Sequence, residues 1–505
     1  MTAFHAALDT PLLSFGRQEW CIRDAAEGTA IWGAPGSGKT SGSGQTIAKA
    51  MLLAGMGGVV LCAKSDECAT WLRYAEETGR EDDVIVLDAS GRRRFNFLDY
   101  AARTFAAPGF EQNLTHLMAR MAEASRVAND AGDSGENRFF TDNAMRWISH
   151  AFPLLRLAYG TIKLRDLDRF ITSIAQTPDE ITDPAKYRKW VAGSFCGKTH
   201  VLAGERAMRA QGAEKKQALQ TIQEHGEFFL EAVPRLDNRP RTGIEATIGS
   251  LIFPFLTGKL SELFCTSTTV TPEMAREGKI IILDVPVMKY GAAGAIGQTL
   301  FKYLFGLEVQ RAAATDDTRP VFLYADEAQF FMNSADADLL STARSSKTCI
   351  VYITQDLPTY YAKLGANAKD TAESMLSKFG TRIFHANSSR ETNMAAAELV
   401  GKIEKFHIGR NVTRSTNAGG GTNRHDQGGN YSGQDGFSIS SGRSSSGYLD
   451  YEIPPDYFAK DLRTGSKGNG FKVDGIVVRT GKNWRTTGKH WVKGEFDQRC
   501  AVSLT

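Results

Sequence analysis

An eight-residue stretch near the start of this 505-residue chain has the residue types and spacing of a phosphate-binding loop. Residues 33–40 read Gly-Ala-Pro-Gly-Ser-Gly-Lys-Thr and fit the pattern G-x-x-x-x-G-K-[ST] in full. Glycines let the backbone turn its N–H groups toward a β-phosphate, and the following helix adds its positive N-terminus. Lys39 is predicted to reach the β- and γ-phosphates, and the Thr40 hydroxyl to bind Mg²⁺. ATP and Mg²⁺ are the predicted cofactors, and the predicted nucleotide-binding residues are Gly33, Ala34, Pro35, Gly36, Ser37, Gly38, Lys39, Thr40 and Ser41.

Two adjacent carboxylates follow an apolar run at residues 321–325. In open α/β sheets the carboxyl ends of the strands form the edge where ligands bind. Asp326 is therefore predicted to hold Mg²⁺ through water, and Glu327 to polarise the attacking water as general base. Taken alone, the pair also fits an acidic helix cap after a strand. The phosphate-binding loop upstream favours the catalytic interpretation.

Two further residues are candidates for catalysis. Gln355 follows the next apolar run, 350–354, where an amide could sense the γ-phosphate or orient water. A helix cap or turn residue is the alternative. Arg344, just before that run, is a candidate arginine finger that would reach a neighbouring subunit's nucleotide. A solvated charge on a helix face is the alternative there.

The order of apolar runs predicts the elements that must position these residues. Short strands alternate with helices over the first hundred residues, as in an α/β protein with a parallel sheet. Helical spacing then replaces strand signals, and strands resume later. The predicted division is a nucleotide-binding domain over 1–100, an all-α insertion over 101–242, and the second part of the nucleotide-binding domain over 243–505. Within the last part, the Gly, Ser and Asn-rich residues 411–447 are predicted to form a mobile loop.

Composition and charge narrow the class of protein. The chain is 42% hydrophobic and 23% charged with a formal net charge of +3, so a strongly basic nucleic-acid-binding surface is not indicated. The seven cysteines show no C-x-x-C spacing, which argues against a disulfide framework or a zinc site. No signal peptide or membrane-spanning run is recognisable, so the predicted location is cytoplasmic, with recruitment to the inner membrane left to a partner.

Several segments beyond the two nucleotide motifs make the sequence resemble the type IV secretion coupling proteins, the TraG/TraD-like ATPases of conjugation, which are relatives of FtsK and HerA motors. Phe97 stands where that family usually has proline, and a second glutamine after Gln355 is missing. The segments that carry the resemblance are Lys64-Ser65-Asp66-Glu67, residues 95–99, residues 139–144, Thr354-Gln355-Asp356, Tyr360 and Leu364-Gly365.

The resemblance implies a RecA-like domain with an inserted all-α domain, assembled as a homo-hexameric ring with nucleotide between subunits. It implies the roles of Gln355 as γ-phosphate sensor and of Arg344 as finger. The implied partners are DNA, relaxosome or other substrate proteins, and secretion-channel or membrane-anchor proteins. Family members carry a pair of membrane helices ahead of the loop, whereas here the loop begins at Gly33. This member is therefore expected to use a separate membrane partner or to be a soluble relative.

Three functions are open from the sequence. The leading hypothesis is an ATP-driven motor that delivers DNA or a nucleoprotein to a conjugation channel. The second keeps the motor for DNA packaging, DNA processing or anti-phage defence. The third is a docking platform for secreted proteins, in which nucleotide holds the ring together.

Overall fold

The computed structural model describes residues 7–104, 110–128, 135–311, 313–364, 368–417 and 436–499. The strands are β1 Pro11–Phe15, β2 Gln18–Cys21, β3 Thr29–Trp32, β4 Gly57–Leu61, β5 Val84–Asp88, β6 Ile280–Asp284, β7 Val321–Ala325, β8 Thr348–Thr354, β9 Thr381–Phe384, β10 Lys402–Asn417, β11 Gly436–Tyr451, β12 Lys472–Arg479 and β13 Trp491–Asp497.

Helices fill most of the space between strands. They are α1 Ile22–Ala25, α2 Gln45–Leu53, α3 Glu67–Glu77, α4 Phe97–Thr104, α5 Phe110–Ala128, α6 Gly135–Tyr159, α7 Leu164–Ile171, α8 Asp179–Thr182, α9 Pro184–Gly193, α10 Phe195–Arg209, α11 Gly212–Thr221, α12 Asn238–Ile252, α13 Gly258–Cys265, α14 Val287–Arg311, α15 Asp336–Thr342, α16 Leu357–Leu364, α17 Ala368–Leu376, α18 Arg390–Val400 and α19 Tyr457–Lys460.

Length and apolarity single out no described helix as one that crosses a membrane by itself. Within the described ranges, one pair of helices, Asn238–Phe255 and Gly258–Cys265, meets both criteria when its two members are taken together, although they are bent by 86°.

A nine-stranded sheet forms the centre of the molecule, in the order β13-β12-β9-β3-β8-β7-β4-β6-β5. The seven strands from β9 to β5 are parallel to their neighbours, and β12 pairs antiparallel with both β9 and β13. The strands β4, β6, β7 and β8 are buried on both faces, which explains their nearly continuous apolar sequences.

Alternate side chains of the sheet enter two hydrophobic cores. In β7, Phe322 and Tyr324 pack with residues of α2 and α3, whereas Leu323 packs on the opposite face. The core on that opposite face continues without a break into the helices between β5 and β6, for example through Phe95 and Met118. The helical segment therefore stabilises the sheet directly.

The predicted fold class, an α/β P-loop fold with an all-α insertion, is confirmed. The described residues between β5 and β6 form helices and no strand, and β6 returns to the sheet beside β4 and β5. The helical segment runs on to Cys265, so the predicted boundary after residue 242 lies inside α12. The division into domains otherwise stays a prediction.

The predicted mobile loop over 411–447 is wrong for the residues that the structure describes there. Residues 411–417 and 436–447 belong to β10 and β11, which pair antiparallel from Lys402↔Tyr451 to Asn417↔Gly436. The high content of Gly, Ser and Thr hid a period-two pattern in which Phe406, Ile408 and Val412 share one face of the ribbon. Residues 418–435 lie outside the described part.

Candidate functional site

The phosphate-binding loop leaves the carboxyl end of β3 and is fixed by its neighbours in the sheet. The Gly33 N–H donates to the Gln355 carbonyl at 3.2 Å, and the Ala34 N–H donates to the Ala386 carbonyl at 2.9 Å. A π-helical turn over Lys39–Gly44 then leads into α2. The loop is thus held between the ends of β8 and β9, with the first turn of the helix behind it.

Glycine is required at two positions of this loop. Gly36 and Gly38 have φ values of 75° and 85°, in the left-handed region that other residues rarely adopt. A Cβ at Gly38 would also lie 2.4 Å from Cγ1 of Val473, in β12. The antiparallel strand β12 therefore packs directly on the loop.

The two nucleotide motifs meet through one hydrogen bond. The Thr40 hydroxyl donates to Oδ2 of Asp326 at 2.9 Å, across 286 residues of sequence. Asp326 is buried, and burial raises the pKa of its carboxyl above the ordinary value. The residues predicted to bind Mg²⁺ thus lie together at the end of β7.

Glu327 is held on both carboxylate oxygens. Its Oε1 accepts from Lys64 Nζ at 2.7 Å, and its Oε2 accepts from Gln329 Nε2 at 2.9 Å. Burial alone would raise the pKa of Glu327, but these hydrogen bonds hold it below the ordinary value. The backbone of Glu327 is left-handed, with φ 50° and ψ 49°, a conformation that costs about 1–3 kcal/mol for a residue other than glycine. Such strain typically marks functional sites.

Lys64 and Glu67, from the segment after β4, complete the charge balance. Lys64 Nζ lies 3.8 Å from Oδ2 of Asp326, and both nearby carboxylates raise its pKa against the opposing effect of burial. Glu67 caps the end of β4, where its Oε2 accepts from the Ala63 N–H at 2.7 Å. Burial, reinforced by the charge of Asp326, raises the pKa of Glu67 to about 8.

The residues present fit a magnesium nucleotide. The Ser37 hydroxyl, inside the loop, is buried and has no hydrogen-bond partner among the described residues. The Lys39 side chain is only 7% exposed, next to the carboxylates that counter its charge. A hydroxyl and a carboxylate oxygen, as at Thr40 and Asp326, are the hard ligands that Mg²⁺ prefers.

Gln355 lies where the sequence predicts, directly after β8 and beside the loop. Its carbonyl accepts from the Gly33 N–H and, at 2.7 Å, from Nδ2 of Asn387. The backbone of Gln355 is therefore part of the support of the phosphate-binding loop. Its role as γ-phosphate sensor stays a prediction.

Arg344 lies near the amino end of β8, whereas the phosphate-binding loop of its own chain lies at the carboxyl ends of the strands. It precedes β8, its side chain is 60% exposed, and its guanidinium is 3.7 Å from Oε1 of Glu27, which precedes β3. The arrangement excludes Arg344 from the nucleotide site of the same subunit. Contact with a neighbouring subunit's nucleotide stays a prediction.

Among the residues that contact the site but were not singled out for these contacts in the sequence are Lys64 and Gln329, described above, and His385. Nε2 of His385 is 2.7 Å from Oγ of Ser43, on the helix of the loop. Burial lowers the pKa of His385 to about 4, so its ring is a neutral hydrogen-bonding partner. Of the three, only Lys64 carried a signal, the short charged segment after a predicted strand.

The comparisons with known proteins agree with the resemblance predicted from the sequence. Residues 320–439 match the family model described as the TraM recognition site of TraD and TraG. This match includes β7, with Asp326 and Glu327 after it, and the whole of β10. No curated protein sequence matches the chain.

Solved coupling proteins share the fold. The unbound monoclinic form of the bacterial conjugative coupling protein TrwBdeltaN70 is similar with a TM-score of 0.50 and 14% identity, over 97% of this chain and 91% of the other. The plasmid coupling protein TrwB in complex with ADP and Mg²⁺ is similar with a TM-score of 0.51 and 13% identity, over 98% and 92%. At this identity, the likeness establishes the fold.

Gly38→Ala tests the geometry of the loop. The added methyl group requires Val473 to move and places alanine in left-handed backbone, a strain of about 1–2 kcal/mol. If the strain falls on the bound state, the Kd for MgATP rises about tenfold. The measurement is titration calorimetry. Gly79→Ala is the control, because Gly79 also has positive φ (67°) but has nothing within 4 Å of its Cβ position. Wild-type values of both the Kd and the Tm in Gly38→Ala would contradict the geometry.

Proposed function

From the resemblance of this chain to the TraG/TraD-like coupling proteins, in fold and over residues 320–439, we propose that it is an ATP-hydrolysing motor. Its substrate is DNA or a nucleoprotein, which it delivers to a type IV secretion channel. The observation that carries the proposal is the 2.9 Å hydrogen bond between Thr40 and Asp326. This bond joins a complete phosphate-binding loop to the carboxylate pair at the end of β7.

The proposed chemistry is in-line attack of water on the γ-phosphate. Bound Mg²⁺ would neutralise charge on the β- and γ-phosphate oxygens. Thr40 and Asp326 would hold the ion, Lys39 would bind the phosphates, and Glu327 would take the proton from the attacking water. The largely buried setting strengthens each of these electrostatic contacts.

The proposed partners follow from the same resemblance. The matched segment is described for TraD and TraG as a TraM recognition site, so a relaxosome or other substrate protein is a proposed partner of this chain. The proposed assembly is a homo-hexameric ring around DNA, located in the cytoplasm and recruited to the inner membrane by another protein. A ring places residues of one subunit next to the nucleotide of the next.

The ATPase rate, measured against protein concentration with and without DNA, tests this function. A motor that catalyses at subunit interfaces gains specific activity with concentration, and DNA increases the rate further. A strong increase on single-stranded or double-stranded DNA supports the motor and identifies its substrate. A flat response to both would refute it and favour a docking platform for proteins.

Two substitutions separate nucleotide binding from hydrolysis. Lys39→Ala removes the ammonium that binds the phosphates, so both MgATP binding and turnover should be lost. Glu327→Gln removes only the base, so MgATP should still bind while kcat falls by about 10²–10⁴-fold. The Kd for MgATP is measured by a binding titration, and kcat is measured by a phosphate-release assay. Turnover by Lys39→Ala at the wild-type rate would be incompatible with the proposed site.

Mixed rings test the proposed trans role of Arg344. Arg344→Ala subunits and Glu327→Gln subunits are each expected to be inactive alone. If Arg344 acts on the neighbour's nucleotide, mixing the two restores some interfaces with an intact base and an intact finger. Partial recovery of ATPase activity is then expected. Absence of recovery at every mixing ratio would show that Arg344 is not a finger.

A further inference from the structure

The carboxylate of Glu327 is held from two sides that differ in character. On one side, the amide of Gln329 donates to Oε2; on the other, the ammonium of Lys64 donates to Oε1. Gln329 is only 4% exposed, whereas the side chain of Lys64 is 39% exposed. The Gln329 contact is therefore buried in protein, and the Lys64 contact borders solvent.

The buried side is fixed by a second hydrogen bond. Oε1 of Gln329 accepts from the Thr354 hydroxyl at 2.8 Å, and Thr354 is fully buried at the end of β8. An amide paired at both ends cannot rotate without leaving buried polar atoms unpaired, which is unfavourable. Lys64 can exchange its contact for water, since its head group reaches the surface.

The backbone of Glu327 adds a reason for this support. A glutamate in left-handed conformation persists when surrounding contacts hold it there. The chain of contacts from Thr354 through Gln329 to Glu327 links the ends of the neighbouring strands β8 and β7. The residue after Thr354 in the chain is Gln355, whose carbonyl supports the phosphate-binding loop.

We propose that Gln329 is a positioning residue for ATP hydrolysis: with its amide fixed by Thr354, it holds Oε2 of Glu327 and leaves Oε1, on the solvent side, as the oxygen that accepts the proton of the attacking water. The inference rests on the proposed function of Glu327 as base. Gln329 itself contacts neither nucleotide nor water in this role. Thr354 acts through Gln329.

Gln329→Met keeps the length of the side chain and removes the amide. Loss of the hydrogen bond frees the carboxylate, and a displacement of about 1 Å costs about 10²-fold in rate. The expected result is a kcat about 10–100-fold below wild type, with KM for ATP changed less than about twofold. Thr354→Val should lower kcat less than Gln329→Met does. Thr354→Ser, which keeps the hydroxyl, should have a kcat close to that of wild type.

The double variant Gln329→Met/Thr354→Val separates positioning from mere stability. Gln329→Met leaves the Thr354 hydroxyl and Oε2 of Glu327 without their partner, and Thr354→Val leaves Oε1 of Gln329 unpaired. The double change also removes the Thr354 hydroxyl and should recover part of the Tm that Gln329→Met loses. The kcat should nevertheless stay as low as in Gln329→Met alone. If kcat recovers together with the Tm, the role is structural and the proposal is overturned.

Gln310→Met is the matched control. The Gln310 amide also donates to a threonine hydroxyl, that of Thr342 at 2.6 Å, but this pair lies away from the nucleotide motifs. The kcat of this variant should equal that of wild type. A wild-type kcat in Gln329→Met would overturn the positioning role while leaving the proposed function intact. Wild-type hydrolysis by Glu327→Gln would instead refute the proposed base, independently of Gln329.

Discussion

The carboxyl ends of four neighbouring parallel strands, β3, β8, β7 and β4, lie side by side at one edge of the sheet. Each strand positions one part of the site at that edge. The phosphate-binding loop follows β3, the two carboxylates follow β7, and Lys64 follows β4. Thr354 is the last residue of β8, and Gln355 comes directly after it. Because parallel strands end at the same edge, segments distant in sequence are brought within hydrogen-bond distance. The long helical insertion does not disturb this arrangement, since it packs on one face of the sheet.

The same edge concentrates charge in a poorly solvated place. Two carboxylates, Asp326 and Glu327, are each about 4% exposed and face the cations of Lys39 and Lys64. Unpaired buried charges are strongly unfavourable, so each carboxylate needs its donors. The pKa of Asp326 is raised and that of Glu327 is lowered, because only Glu327 receives two close side-chain donors besides its burial. This difference in pKa fits the assignment of Asp326 as a metal ligand, since a bound cation would supply the close positive charge that the surroundings of Asp326 lack.

Local patterns were sufficient to predict much of the fold and of the site. The runs that became β3, β4, β7 and β8 are short and largely apolar, and the loop motif needs no knowledge of tertiary structure. The contact between Lys64 and Glu327 joins residues 263 positions apart, and only the strand order places β4 beside β7. Gln329 gave no signal, because an amide after a strand is equally typical of a turn. The position of Arg344 also depends on which end of β8 it adjoins, and the β10–β11 ribbon was hidden by its loop-like composition.

Movement of DNA is the property that distinguishes the proposed motor from other P-loop proteins of similar fold. Displacement of streptavidin from biotin at either end of single-stranded and double-stranded DNA measures it directly. Wild-type protein with MgATP should displace streptavidin from one end of one of these substrates, and Glu327→Gln should not, although it still binds nucleotide. ATP hydrolysis by the wild-type protein without displacement from any end of either DNA would contradict a DNA motor.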